Sequence, residues 1–289
     1  MSITVLETKN LKYVYSRGTS YEITALDDVN IQINKGELVG IIGHTGSGKS
    51  TLIQQFNGIL SPTEGTVCFE GADIWADKSK IRNVRFKIGV CFQYPEYQLF
   101  EETVEKDIAF GPKNMGMNDD EIALTVRRSL EYVGLDESYL KKSPFDLSGG
   151  EKRRVAIAGI MAMQPEILVL DEPCAGLDPL GRESVLRLIE EYRDRTGSTV
   201  VIVSHSMEDI AKISDRILVL NKGKVAYFGT VSEVFSHADE LKAMGLSIPQ
   251  VTQLFLNLKG RGINCRVDVY TTEFVRKEIR LLLNGGEDV

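Results

Sequence analysis

This chain lacks a positive charge balance, paired cysteines and long apolar runs. Lysine and arginine number 34 against 41 aspartates and glutamates, a formal net charge of −7. A nucleic-acid binder leaves a basic footprint, so this acidic balance argues against such a partner. The four cysteines, Cys68, Cys91, Cys174 and Cys265, are scattered, and none forms a C-x-x-C pair. Neither a disulfide frame nor a zinc site is indicated, which fits a reducing compartment. No uninterrupted apolar stretch approaches the ~20 residues that a membrane helix requires. The opening Met1-Ser2-Ile3-Thr4-Val5 lacks the basic-then-apolar order of a secretory leader. Work at a membrane, if any, is expected to go through partners. What is present is 289 residues, 43% of them apolar. That is enough for one large domain with a sizeable core and a smaller appendage.

The most informative stretch is Gly43–Thr51, which reads Gly43-His44-Thr45-Gly46-Ser47-Gly48-Lys49-Ser50-Thr51. It fits the phosphate-binding pattern G-x-x-x-x-G-K-[ST]. An apolar run, Leu38–Ile42, precedes it and a helical pattern follows, so the context is strand, glycine-rich loop, helix. The glycines let successive backbone N–H groups curl into an anion nest, and the helix N-terminus adds positive potential at the same point. Lys49 is expected to reach the β- and γ-phosphates of a nucleotide, and Ser50 to ligate Mg²⁺. Upstream, Tyr15 is the candidate to stack on an adenine ring, with Tyr13 as the alternative. A tyrosine simply packed on a sheet is the bland reading of either.

Strands are expected at Ile3–Glu7, Val29–Ile33 and Thr66–Glu70. Three further apolar runs each lead into a chemically apt residue. Ile88–Phe92 leads to Gln93, Ile167–Leu170 to Asp171 and Glu172, and Val200–Ser204 to His205. In doubly wound sheets the ligand lies outside the carboxyl ends of the strands. Asp171 is placed to hold Mg²⁺ through water, and Glu172 to polarise the water that attacks the γ-phosphate. Gln93 is placed near the metal or that water, and His205 completes the set. Any one of these alone would more often be a surface or packing residue.

Between about residues 101 and 164 the pattern is helical, and within it lies Leu147-Ser148-Gly149-Gly150-Glu151-Lys152-Arg153-Arg154. Ser148 with Glu151 three residues on is a capping box, so a helix starts there. Two glycines in its first turn cost about 1 kcal/mol each relative to alanine. They make sense if exposed N–H groups lie flush against something anionic. Ser148, Gly149 and Gly150 therefore read as a second phosphate-binding surface.

Together these residues resemble the ATP-binding subunits of ABC transporters, over roughly residues 3–230. Leu147–Glu151 is similar to that family's signature, Gln93 to its Q-loop and Asp171-Glu172 to its Walker B pair. Gly176-Leu177-Asp178 is similar to its D-loop, His205 to its switch histidine and Tyr15 to its adenine-stacking aromatic. The resemblance implies an α/β P-loop NTPase with a mixed β core, an antiparallel β subdomain, an all-helical subdomain near residues 94–165 and a small helical appendage at 231–289. It implies ATP and Mg²⁺ as ligands. It also implies a head-to-tail dimer in which the glycine pair of one chain contacts the γ-phosphate held by the other.

A narrower likeness joins Tyr15…Gly18-Thr19…Ala25-Leu26, Phe92–Phe100, Ala109–Asn114 and Gly245–Thr252. These phrases resemble the A subunits of energy-coupling factor (ECF) transporters, and the long N-terminal loop and Gly150–Arg154 incline towards the second A-subunit type. The implied partners are a second A subunit, a transmembrane T subunit and a membrane-embedded substrate-binding S subunit. The implied location is the cytoplasmic face of the cell membrane, and the cargo a vitamin or a transition-metal ion. The aromatic stretch Tyr94–Phe100 would lie near the groove that receives the T subunit. The alternatives are the ATPase of another ABC system, either a conventional importer or a soluble ATPase acting on DNA or ribosomes, and a degenerate cassette that binds without hydrolysing. Glu151 stands where glutamine is commoner, and Cys174 where threonine is common. In the tail, Val251, Leu254, Phe255 and Leu258 share one helical face, expected to make a dimer contact or a cap on the same chain. Asn284–Val289 are expected to be loose.

Overall fold

The computed structural model describes residues 3–266, 270 and 272–283. Leu38–Ile42, Ile167–Asp171 and Thr199–Val203 are buried at every position, the pattern of strands covered on both faces. They belong to a six-stranded sheet. In chain order the strands are β1 (Thr4–Tyr15), β2 (Ile23–Asn34), β3 (Leu38–Ile42), β4 (Glu64–Phe69), β5 (Ala72–Asp73), β6 (Ile88–Cys91), β7 (Ile167–Asp171), β8 (Thr199–Val203), β9 (Arg216–Asn221) and β10 (Lys224–Thr230). The larger sheet runs β10-β9-β3-β8-β7-β6, parallel except where β10 meets β9. A second sheet, β2-β1-β4-β5, is antiparallel throughout.

Side chains alternate across the large sheet with the period of two that strands impose. Val39, Ile41, Val169, Val201 and Val203 face the antiparallel sheet and its core. Leu38, Ile42, Leu168, Leu170, Val200 and Ile202 face the other way, into the helices.

The helices are α1 (Lys49–Phe56), α2 (Ile81–Lys87), α3 (Val104–Met115), α4 (Asp119–Tyr132), α5 (Gly149–Met161), α6 (Pro179–Thr196), α7 (Met207–Ile213), α8 (Val231–Ser236), α9 (Ala238–Ala243), α10 (Gln250–Gly260) and α11 (Thr272–Leu283). Helices α3 to α5 fall between β6 and β7 and pack on one another. Each starts on a side-chain cap: Thr103, then Asn118 with Glu121, then Ser148 with Glu151.

The expected strands at Ile3–Glu7 and Val29–Ile33 are portions of longer ones. Alternation fails in between because β1 and β2 slip register near Thr8/Leu11, and Asn10 and Asp28 take positive φ. Asn10, Asp28 and Asn30 hydrogen-bond across this irregularity. The strand expected to run into Gln93 stops at Cys91. Tyr94 turns left-handed at φ 56 and starts a short 3₁₀ turn over Pro95–Gln98. In the tail, Val234, Phe235, Leu241 and Leu246 are buried in the helix-side core. The expected apolar face of α10 is only partly covered: Phe255 is fully buried, whereas Leu254 is 45% exposed. Asn284–Val289 lie outside the described residues. No helix among the described residues is long and apolar enough to cross a membrane.

Candidate active site

The strand order sets the site. β3, β8, β7 and β6 are adjacent and parallel, with Ile41 level with Val203, Asp171 level with Val203, and Cys91 level with Leu170. The segments that follow them therefore emerge side by side along one edge. They are Gly43–Thr51, then His205, then Glu172, then Gln93.

The loop after β3 is built on its glycines. A Cβ on Gly43 would sit 2.5 Å from the Leu220 carbonyl oxygen and 2.4 Å from Ser47 Oγ. Gly48 has φ +106, and its Cβ would meet the Ala25 carbonyl oxygen at 2.6 Å. Gly46 is also left-handed, at φ +80. Ser47 is buried, and its backbone N–H donates to the His44 carbonyl. His44 Nδ1 lies 2.6 Å from the Thr45 carbonyl oxygen. Lys49 folds back over the loop and donates to the carbonyls of Gly43 (2.6 Å) and His44 (3.1 Å). Burial lowers its pKa against the pull of Glu172 and Asp171.

Ser50 Oγ approaches Asp171 Oδ2 at 3.5 Å. Burial raises Asp171 above its ordinary value, opposed by Lys49 and Ser50. Among the described residues no cluster of three or more His, Cys, Asp or Glu could cage a metal. A hydroxyl beside one carboxylate suits Mg²⁺, which keeps waters and substrate phosphates as its other ligands. Glu172 follows at φ +52, a conformation that side chains seldom adopt. Its Oε1 is buried without a hydrogen bond, and His205 Nε2 lies 3.4 Å away, unaligned for one. Burial first, then the Asp171 charge, pushes Glu172 up to about 7, against Lys49 and the His205 backbone N–H. Burial and then Lys49 hold His205 below its ordinary value, which favours a neutral imidazole.

Gln93 is exposed and makes no side-chain hydrogen bond among the described residues, so it lies at this edge without being held to the others. Tyr15 is 38% exposed, and its hydroxyl lies 3.2 Å from Thr51 Oγ1 at the start of α1. Tyr13 packs edge-on against it and on the core. Tyr15 is therefore the ring available beside the loop.

Ser148, Gly149 and Gly150 stand apart from this group. They are exposed, and no hydrogen bond joins them to Gly43–Thr51 among the described residues. A Cβ on Gly149 or Gly150 would meet nothing within 4 Å. Among the described residues no contact sterically requires glycine at either position. Glu151 is turned back: Ser148 N–H donates to its Oε2 at 2.8 Å and the Tyr139 hydroxyl to its Oε1 at 2.6 Å.

Three contributors escaped the sequence reading. Tyr139 clamps Glu151 from twelve residues upstream. Arg153 pairs with Glu96, 57 residues away. An arginine followed by the buried Val155 hinted at an inward-facing charge, but nothing marked its partner.

Residues 26–175 match the ABC transporter family. The chain is 50% identical over 284 residues to the energy-coupling factor transporter ATP-binding protein EcfA2 of Caldanaerobacter subterraneus subsp. tengcongensis, covering 98% of this chain and 99% of the relative. It is 51% identical over 282 residues to the EcfA2 protein of Clostridium perfringens, covering 97% and 99%. Among solved structures it resembles cbiO1 of Clostridium perfringens, part of the ABC transporter complex cbiONQ, with TM-score 0.75 and 38% identity over 87% of this chain and 98% of that one. It also resembles the ATP-binding cassette MJ0796 in a dimeric, post-hydrolysis state bound to ADP and Pi, with TM-score 0.70 and 30% identity over 78% and 98%. The glycine-built loop, the buried carboxylate at its edge and the near-full-length likeness lead to one family. The chain is an ATP-hydrolysing member of the ABC transporter family, among the energy-coupling factor transporter ATP-binding proteins of the second A-subunit type.

Proposed function

We propose that this chain powers an ECF-type importer of vitamins or transition-metal ions from the cytoplasmic face of the cell membrane. Closure of a head-to-tail dimer on ATP, followed by hydrolysis and reopening, would move a T subunit that carries a substrate-binding S subunit. The observation that carries this reading is the bare turn at Gly149-Gly150, where neither glycine has a steric reason within its own chain. A second A subunit that seats its γ-phosphate there supplies the reason. The dimeric form of MJ0796 and the place of cbiO1 in a larger complex support it.

In this scheme Gly43–Thr51 grips the phosphates, Lys49 exchanges its two carbonyls for phosphate oxygens, and Tyr15 stacks on adenine. Ser50 and Asp171, with Gln93, would hold Mg²⁺, which would neutralise the phosphate charge. Glu172 orients the attacking water and takes its proton, while His205 holds the γ-phosphate end of the site. The aromatic groove beside Gln93, a cavity of about 340 Å³ lined by Pro95, Leu99, Phe100 and Phe110 among others, is the surface for the T subunit. Tyr97, 84% exposed, lies in the Pro95–Gln98 turn that supplies part of the lining. We assign residues 1–230 to the nucleotide-binding unit, with its helical part near 94–165. Residues 231–289 supply a further dimer contact through exposed Leu254, Ile263 and Ile279.

The test is the association state of Glu172→Gln with ATP and Mg²⁺, alone and with its companion A subunit. A stable dimer with turnover down about 100-fold or more is expected. A strictly monomeric protein under both conditions would overturn the reading.

A further inference from the structure

The side chain of Arg153 is 4% exposed, in the second turn of α5. It reaches two other segments at once. Nε and Nη2 donate to the two carboxylate oxygens of Glu96, at 3.1 and 2.7 Å. Nη1 donates to the carbonyls of Pro173 (3.3 Å) and Ala175 (2.5 Å). Glu96 lies three residues beyond Gln93. Pro173 follows Glu172 directly and Ala175 stands three residues after it, and Arg153 itself stands five residues after Ser148. One guanidinium therefore joins the segments that carry Gln93, Glu172 and the glycine pair.

Burying a charge is costly unless it is paired and its hydrogen bonds are met. Burial acts to raise the Glu96 pKa, yet the hydrogen bonds and charge of Arg153 hold it below the ordinary carboxylate value. An apolar pair would fill the same space, but it would not fix three backbones in register. Lysine would not either: its ammonium is a point charge, whereas the planar fork meets a carboxylate on one edge and carbonyls on the other. The backbone it holds is already in an unusual state, because Glu172 sits at φ +52 just before the carbonyls that Arg153 grips.

We propose that Arg153 is a positioning residue for ATP hydrolysis, clamped by Glu96, that sets Glu172 and Gln93 against the nucleotide each time the site closes. The inference rests on the roles given above to those two residues. It acts on turnover and not on nucleotide affinity, because Gly43–Thr51 and Tyr15 are untouched by it.

The experiment compares Arg153→Lys, Glu96→Gln and the double variant in the assembled complex, with Glu172→Gln as control. It reads kcat, KM for ATP and unfolding temperature. Arg153→Lys is expected to lower kcat about tenfold, because displaced reacting groups cost rate steeply, while KM stays within about twofold. Glu96→Gln should lower kcat less, about threefold, since its carbonyl still accepts. The double variant should match Arg153→Lys alone, as expected for one unit. A wild-type kcat in Arg153→Lys beside an inactive Glu172→Gln would overturn the proposal and leave the site reading intact. A wild-type kcat in Glu172→Gln would overturn the site reading itself. A fall in kcat with an equal loss of ATP binding and of unfolding temperature would mark Arg153 as merely structural and also refute the proposal. Should Arg153→Lys fail to fold, Glu96→Gln decides alone by the same split of kcat from KM.

Discussion

Replacing Glu151 by glutamine restores the residue commoner in the signature, and the structure indicates how little that should change. The Glu151 carboxylate is already committed. It accepts from the Ser148 backbone N–H at 2.8 Å and from the Tyr139 hydroxyl at 2.6 Å, and its own N–H reaches Ser148 Oγ at 3.4 Å. The Tyr139 hydroxyl first, then Ser148, hold its pKa down at about 2. At full value that displacement from 4.5 is worth about 3 kcal/mol, but the group is solvent-facing, so about 1 kcal/mol is expected in practice. Glutamine keeps an acceptor for Ser148 and an amide that can donate to Tyr139. Glu151→Gln should therefore lower the unfolding temperature by about 2 °C and alter ATP turnover only about threefold. The pH dependence has a definite sign. The folded value lies below the unfolded one, so the stabilisation is complete above 4.5 and is lost as pH falls towards about 2. The gap between wild type and Glu151→Gln should stay constant from pH 8 to about pH 5 and close below that. The assays are thermal unfolding across pH and steady-state turnover of the assembled complex. A loss of about a hundredfold in turnover at unchanged KM would refute the reasoning, because it would place the carboxylate on the neighbour's phosphate.

Gly48→Ala forces a Cβ to within 2.6 Å of the Ala25 carbonyl oxygen at φ +106. It should weaken ATP binding more than about tenfold, measured with a fluorescent nucleotide. Tyr15→Ala should weaken ATP binding about tenfold while Tyr15→Phe keeps most of it, since the ring face and not the hydroxyl stacks on the base. Tyr97→Asp with Phe100→Asp should abolish co-purification with the membrane subunits while ATP affinity of the isolated chain stays within about twofold.

The site was legible in the sequence to the extent that it hangs on strand ends. Leu38–Ile42, Ile167–Leu170 and Val200–Val203 are apolar runs that no surface segment would carry, and each is followed directly by polar chemistry. Their lateral order was not legible, since β3-β8-β7-β6 follows from crossovers and not from local pattern. The length of β1 and β2 was hidden by Asn10 and Asp28, whose polar side chains and left-handed backbone interrupt the alternation. Arg153 and Glu96 remained unpaired on paper because 57 residues separate them. The α10 periodicity is real, but sequence alone could not divide its face between Leu254, which points outward, and Phe255, which is covered.

The unshielded turn at Gly149-Gly150 has a consequence at the level of populations. When a catalytic centre is finished by a neighbour, a damaged copy does harm beyond its own loss. On the proposed head-to-tail pairing, a chain with an intact loop and a bulky residue at Gly149 would keep its own nucleotide but spoil the centre across the interface. Competing with normal chains for the companion A subunit, such a chain would act as a poison by tying up companions whose own loops are sound.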